Sequence, residues 1–237
     1  MMRKAWHVLA GAAVGCAILI GLGVWQLDRL AWKEALIADR DARGAAPPIT
    51  LSAAIAMDDP DFYRVEAKGA FLHEGELFYL TTVGGKPGFE VVTPLLTADG
   101  LAVLVDRGFV PEEMRDPASR PGSQPAGEVE IVGQVSRHEA GQGYFIPDNN
   151  AGTNYWYWWD VPAMLTYSHI PEGRKTVPFI LHAVPTPGEK AVPQPVGLGQ
   201  NLSNNHLQYA LTWFSLAAVL AVIAGLMVGQ EAKRARA

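Results

Sequence analysis

The stretch VLAGAAVGCAILIGLGV, residues 8–24, decides how this chain is organised. It contains no charged side chain, and Trp6 and Trp25 flank it. At about 1.5 Å per residue, a helix between these tryptophans is roughly 28 Å long, which matches the hydrocarbon core of a bilayer. Tryptophan is also enriched where a helix meets the membrane surface. We therefore predict a transmembrane helix over residues 6–27.

A second apolar stretch, residues 207–228, lies near the carboxyl terminus and predicts a transmembrane helix over residues 206–229. The first stretch has an alternative interpretation as a cleaved signal peptide. It continues well past Cys16, however, and a second span needs a helix to pack against. An uncleaved anchor is therefore favoured, and the chain is predicted to cross the lipid bilayer twice.

The overall composition excludes several classes of protein. Of the 237 residues, 49% are hydrophobic and 18% are charged, and the net charge is −5. That charged fraction is below the roughly 25% of ordinary soluble domains, and the chain is too hydrophobic to be disordered. Nucleic acid is not expected as a partner, because no basic excess is available to meet phosphates. The single cysteine, Cys16, excludes a disulfide framework.

The charges outside the two apolar stretches predict the orientation of the chain. A short basic tail precedes the first apolar stretch, with Arg3 and Lys4, and another follows the second, with Lys233, Arg234 and Arg236. By the positive-inside rule, the tails 1–5 and 230–237 are cytoplasmic, and the acidic middle segment lies on the other side. No long Arg- and Ser-rich presequence is present, which favours a bacterial inner membrane over an organelle. Residues 28–205 are then periplasmic.

The middle segment shows the alternation of apolar and polar residues that is typical of half-buried strands. Turns are predicted at 84–88 and 97–100. A short helix or turn is predicted at 50–57, and a helix at 161–168 with Asp160 as its N-cap. The predicted strands cover residues 65–71, 77–83, 90–96, 102–109, 129–136 and 177–184. The fold class is therefore a membrane-anchored α+β protein, in which two transmembrane helices flank a mostly antiparallel β domain with a few short helices. A barrel and a sandwich both remain open.

The same segment carries no recognised catalytic or metal-binding motif. No P-loop, nucleophile elbow or H-E-x-x-H sequence is present, so no enzyme is predicted. Four histidines lack ligand spacing and are interpreted as surface or hydrogen-bonded core residues: His73, His138, His169 and His182. The aromatic run YWYWWD, residues 155–160, favours core packing and interface contact over direct ligand binding.

His206 is the residue with the clearest chemical potential, because it opens the second apolar helix at its outer end. Ala210, Trp213 and Ala217 fall on the same helical face, and Tyr209 flanks it. One interpretation is that the polar group caps and hydrates the helix start. The other is that a flat ring lies along the small residues, with its iron bound by the imidazole. The residues alone leave both open.

Several motifs are spread over nearly the whole chain: Gly23-Val24-Trp25-Gln26, Arg29, Lys33, the segments 87–95, 105–111, 145–149 and 205–214, and Asn154, Trp156 and Asp160. Together these motifs resemble the surfeit locus protein one family, membrane assembly factors for cytochrome c oxidase. The family commonly has Asn where Asp106 stands and Trp where Phe109 stands.

The resemblance implies a non-catalytic protein that binds haem a transiently and assists its insertion into the catalytic subunit of cytochrome c oxidase, with haem a synthase as a further candidate partner. His206 matches the histidine of the family's second helix and is the candidate axial ligand. Tyr209, Trp213, Trp25, Gln26 and Arg29 match positions near the same membrane face. Arg29 is either a partner for a haem propionate or an interfacial anchor. The alternative function is a haem-free scaffold for the nascent oxidase subunit.

Overall fold

The computed structural model describes residues 2–138, 141–185, 192–198 and 204–236. These residues form two compact units. The first unit contains residues 1–39 and 201–237, and the second contains residues 40–200. The predicted fold class is confirmed in its architecture, because two long apolar helices flank a mostly antiparallel β domain.

The helices of the first unit are α1, Met2–Ala45, and α4, His206–Arg236. Each is long and apolar enough to cross a membrane, which is consistent with membrane anchoring. Helix α1 continues beyond residue 27, where the sequence places the end of the first span. Residues 28–45 are rich in Ala, Leu, Arg and Asp/Glu, and most of these are good helix formers in water. The charge of Asp28 marks the end of the apolar stretch, but the helix continues to Ala45.

Small residues line the contact between α1 and α4. Ala210, Ala217 and Ala224 are buried at intervals of seven along α4, which is the repeat of a coiled-coil seam. On α1, the thiol of Cys16 lies 3.5 Å from the carbonyl oxygen of Ala217. A Cβ atom on Gly15 would lie 2.8 Å from the side chain of Leu220. Small side chains allow two backbones to approach closely where no hydrophobic effect drives the helices together.

The second unit, called the β domain below, contains seven strands and two short α-helices among its described residues. Each predicted strand is present, and most begin one to four residues earlier than predicted, while the predicted strand 177–184 ends one residue earlier, at Ala183. Lys86-Pro87-Gly88 belongs to β4 and not to the preceding turn, because Gly84 and Gly85 alone supply the positive φ angles of 59° and 79° that a tight hairpin requires. The strands are β1 (Ile49–Thr50), β2 (Arg64–Phe71), β3 (Leu77–Val83), β4 (Lys86–Thr97), β5 (Leu101–Pro111), β6 (Glu128–Ser136) and β7 (Lys175–Ala183).

The sheet closes on itself, which decides between barrel and sandwich. Its order is β1-β2-β6-β7-β5-β4-β3, and β2 also pairs with β4. Strands β2, β6, β7, β5 and β4 therefore form a closed barrel. Gly69 on β2 makes the closure possible, because any side chain there would collide with the backbone carbonyl of Leu96 on β4. The β1–β2 and β5–β7 pairs are parallel, and the other ladders are antiparallel.

Two helices complete the β domain. The first, α2 (Leu51–Ile55), buries Leu51 and Ala54 in the barrel core with residues such as Val105 and Leu181. The second, α3 (Val161–Tyr167), packs Val161 and Met164 against Ile180 of β7 on the other side of the sheet. The predicted cap of α3 is confirmed, since the Asp160 carboxylate accepts a hydrogen bond from the backbone N–H of Ala163 at 3.1 Å.

Candidate functional site

The first candidate site lies within the helical unit, where His206 begins α4. Its ring atom Nδ1 lies 2.7 Å from the side-chain amide oxygen of Gln26 on α1. An amide oxygen only accepts hydrogen bonds, so Nδ1 of His206 carries the hydrogen. In the neutral ring, the other nitrogen, Nε2, then carries the lone pair. This tautomer is the one that binds a metal through Nε2.

The same geometry bears on the capping interpretation of His206. The first helical hydrogen bond of α4 runs from the backbone N–H of Tyr209 to the carbonyl oxygen of Asn205. Asn205 is therefore the residue at the cap position, and His206 is the first residue inside the helix. The His206 side chain bonds across to α1 and not to its own helix start.

The residues grouped with His206 by the sequence have different surroundings. Trp25 and Tyr209 are 53% and 54% exposed, so their rings stand on the outside of the helix pair. Ala210 and Ala217 are only 1% and 6% exposed. The small side chains below His206 are therefore buried, whereas Trp25 and Tyr209 beside them are exposed. Trp213 is half-buried, and its indole N–H has no partner within the described residues.

Arg29 lies one turn beyond Gln26 along α1. Its guanidinium carbon is 4.3 Å from the centre of the Trp32 ring, which is a cation–π contact between residues three apart on one helix. Trp32 is itself 53% exposed. An exposed arginine stacked on an exposed tryptophan is typical of an interfacial anchor, and such an arginine still has donors to offer a carboxylate.

The donor set around His206 limits which metals it suits. Among the described residues, no group of three or more His, Cys, Asp or Glu side chains is arranged to hold a metal ion. A bare divalent ion needs several protein ligands. A haem iron brings its equatorial ligands with it and takes only axial ligands from the protein. A single imidazole with a fixed tautomer therefore fits a haem better than a bare ion.

A second polar constellation lies inside the β domain, where two histidines that lack ligand spacing in the sequence meet. The Asp106 carboxylate lies 2.8 Å from Nδ1 of His182, and both residues are buried. Nε2 of His182 lies 2.7 Å from Nε2 of His138. Asp106 also accepts a hydrogen bond from the backbone N–H of Gly108 at 2.9 Å. Strand pairing between β5 and β7 places Asp106 opposite His182, which sequence spacing does not reveal.

Burial controls the protonation of this constellation. Burial, followed by the nearby charge of His182, lowers the pKa of His138 to about 3, so its ring is neutral. Glu90 lies on β4, the neighbouring strand of β5. Burial, followed by the negative charge of Asp106, raises the pKa of the Glu90 carboxyl to about 8. Uncharged forms are favoured at both positions near neutral pH.

Part of the aromatic run 155–160 packs in the core, as the sequence predicts. Trp156 is 1% exposed and belongs to the cluster that holds α3 to the sheet. Trp159 stacks on the ring of Tyr79 at 4.1 Å and on the ring of His138 at 4.5 Å. The run therefore connects the α3 core to the histidine constellation.

The fold and the first site define a class of protein: a β-barrel domain whose sequence is flanked by two long apolar helices, with a polar contact between a glutamine of one helix and a histidine of the other. The sequence model of the SURF1 family matches residues 13–218, which include Gln26 and His206. The chain belongs to the SURF1 family.

Individual relatives agree with this assignment. The chain is 34% identical to human surfeit locus protein 1 over 220 residues, which cover 84% of this chain and 70% of the human protein. It is 34% identical to a SURF1-like protein of Monosiga brevicollis over 219 residues, covering 85% and 80% of the two chains. A SURF1-like protein of Drosophila melanogaster is 33% identical over 224 residues.

Proposed function

We propose that this protein is a non-catalytic assembly factor for cytochrome c oxidase, which carries haem a and assists its insertion into the catalytic subunit. The family to which the chain belongs supports the assembly role. The 2.7 Å contact between His206 and Gln26 is the observation that carries the haem-binding role. In this proposal the two helices span a bacterial inner membrane, both termini are cytoplasmic, and the β domain is periplasmic.

His206 is proposed as the single axial ligand from the protein. Gln26 accepts the hydrogen of Nδ1, which fixes the tautomer of the neutral imidazole so that its lone pair is on Nε2. Because Ala210 is buried, haem would approach from the exposed side of the helix pair. Trp25 and Tyr209 are exposed there and offer aromatic surface. Arg29 offers a planar set of donors for a propionate.

A carrier must also release its cargo. Haem a is too apolar to cross water unaided, so lateral transfer within the membrane is the route the helices favour. A haem held by His206 alone would be bound more weakly than one held by a receiving subunit that offers two histidines. Haem would therefore pass from carrier to oxidase by exchange of its protein ligands.

The experiment is a reduced-minus-oxidised spectrum of the protein purified after co-production with a haem a synthesis system. Wild type is expected to show a haem a band that His206→Ala lacks. The matched control is His7→Ala, a histidine at the other end of the apolar part of α1, which is expected to retain the band. His206→Gly supplied with free imidazole is expected to regain the band, because the small ligand replaces the missing side chain.

The alternative function, a haem-free scaffold for the nascent oxidase subunit, predicts a different result. Wild type would then purify without haem a from cells that synthesise it, while still binding the oxidase subunit. A band of equal size in wild type and His206→Ala would place the ligand at another residue. A band lost equally in His7→Ala would contradict the assignment of His206.

A further inference from the structure

A cavity of about 870 Å³ lies wholly within the β domain, beside α3 and β7. Its volume falls within the roughly 300–1,000 Å³ range of small-molecule sites. Val161, Leu165 and Ile170 supply apolar surface, and His138 and Trp159 stand in the wall. This cavity plays no part in the haem-binding site proposed above, and nothing in that proposal depends on it.

The charges around the cavity select against a strongly charged ligand. Arg137 and Arg174 line it, and so do Asp160 and Glu172, so positive and negative side chains are balanced. Arg137 is also paired with Asp61 through its Nε atom at 3.2 Å. Neither sign of charge predominates, and the apolar lining therefore favours a neutral molecule.

The ring of His138 is part of the cavity wall. Its backbone has a φ of 52°, in the left-handed region that side chains other than glycine seldom adopt, at a cost of roughly 1–3 kcal/mol. Nε2 of its ring is occupied by His182, and one ring face is stacked on Trp159. Nδ1 has no hydrogen-bond partner among the described residues. The backbone of His138 is thus strained, and its ring is fixed by His182 and Trp159 while Nδ1 stays unpaired. Strained residues of this kind cluster at binding sites.

The hydrogen-bonding character of Nδ1 depends on His182. When His182 is neutral, it donates from Nδ1 to Asp106 and accepts at Nε2, so His138 donates from Nε2 and has a lone pair at Nδ1. A hydroxyl group matches this arrangement, because it can donate its hydrogen to the lone pair, whereas a carbonyl has no hydrogen to donate.

We propose that this cavity binds a neutral, mainly apolar molecule bearing a hydroxyl group, which hydrogen-bonds to Nδ1 of His138. The side chains of α3 contact the apolar part of the ligand. Asp106 and His182 hold the His138 ring in the orientation that presents Nδ1.

The test compares two probes of nearly equal shape, 2-naphthol and 2-fluoronaphthalene, of which only the first has a hydroxyl hydrogen. Binding is measured by equilibrium dialysis with the full chain in lipid nanodiscs, and empty nanodiscs correct for partition into lipid. A buried neutral hydrogen bond contributes about 1 kcal/mol, so wild type is expected to prefer 2-naphthol by roughly five- to tenfold. His138→Phe is expected to bind both probes with equal affinity.

Two controls show whether the cavity forms in the variant and whether the probes bind in it. Retained binding of 2-fluoronaphthalene by His138→Phe shows that the cavity still forms in the variant. Leu165→Trp fills the cavity and is expected to remove the binding of both probes. The proposal is overturned if wild type shows no preference, if His138→Phe keeps it, or if Leu165→Trp binds as well as wild type. Since no haem is present, failure here leaves the haem-binding proposal untouched.

Discussion

Gly23 of α1 lies directly against the ring of Phe214 on α4, so that a Cβ atom at residue 23 would lie 2.5 Å from the ring atom Cε1. A Cβ atom on Gly21, two residues earlier, would have no atom of the partner helix within 4 Å. The two glycines therefore share a helix but differ in whether the partner helix approaches them.

This difference predicts unequal effects of one substitution. Gly23→Val is expected to lower the free energy of unfolding of the helix pair by about 1–3 kcal/mol, because the new side chain overlaps the Phe214 ring. Gly21→Val carries the same change in helix propensity and is expected to behave as wild type. Thermal unfolding in detergent measures both. Adding Phe214→Ala to Gly23→Val should recover part of the loss, and no recovery would show that the clash is not with Phe214.

Gln26 is expected to tune haem affinity through His206. Gln26→Ala removes the acceptor for the Nδ1 hydrogen, and loss of such an outer contact typically weakens metal binding by about 10- to 100-fold. Gln26→Glu keeps an acceptor and should bind haem close to wild type. Gln208→Ala, an exposed glutamine of α4, is the matched control. Haem titration of the four proteins is the measurement, and equal affinities throughout would remove Gln26 from the site.

A buried ion cluster is expected to be a main determinant of β-domain stability. The Arg120 side chain is 0% exposed and pairs with Glu76, and Arg107 lies 3.4 Å from the same carboxylate. Arg120→Met leaves that carboxylate short of a partner, which typically costs about 3–5 kcal/mol.

The control for the cluster is the exposed pair between Lys68 and Glu128, whose charged atoms lie 3.1 Å apart. Lys68→Met is expected to change stability by less than about 1 kcal/mol. Denaturant unfolding compares the two variants with wild type. A similar small loss in both would contradict a structural role for the Arg120–Glu76 pair.

Glu90 is expected to make the β domain less stable as pH rises. Burial and Asp106 raise its pKa from 4.5 to about 8, so the folded protein holds a proton there that the unfolded chain releases above its ordinary pKa. The contribution of Glu90 is full below about pH 4.5 and is lost as pH rises to about 8. Glu90→Gln keeps the neutral form at every pH.

The measurement is the melting temperature of wild type and Glu90→Gln between pH 5 and pH 8.5. Wild type should lose several degrees relative to the variant across this interval, because each unit of pKa difference corresponds to about 1.4 kcal/mol. Parallel curves for the two proteins would show that Glu90 titrates in its ordinary range.

Local patterns were enough to predict most elements of the chain. Apolar stretches predict helices α1 and α4, because the membrane-spanning length is a property of consecutive residues. Alternation predicts the strands, because side chains of a strand point to opposite faces in turn. Asp160 predicts the start of α3, since an N-cap acts within three residues. The motifs spread over the chain likewise led to the correct family.

Contacts between distant residues were decided by the tertiary structure alone. Closure of the barrel depends on β2 meeting β4, and the Asp106–His182 pair depends on parallel pairing of β5 with β7. The sequence names Gln26 and His206 separately, but they lie 180 residues apart, and only the packing of α1 on α4 joins them in a hydrogen bond. Ala210, which the sequence left open to a ligand, is buried in the structure. Periodicity specifies which face of an element is apolar, whereas the partner of that face is set by the complementary shape of another element far along the chain.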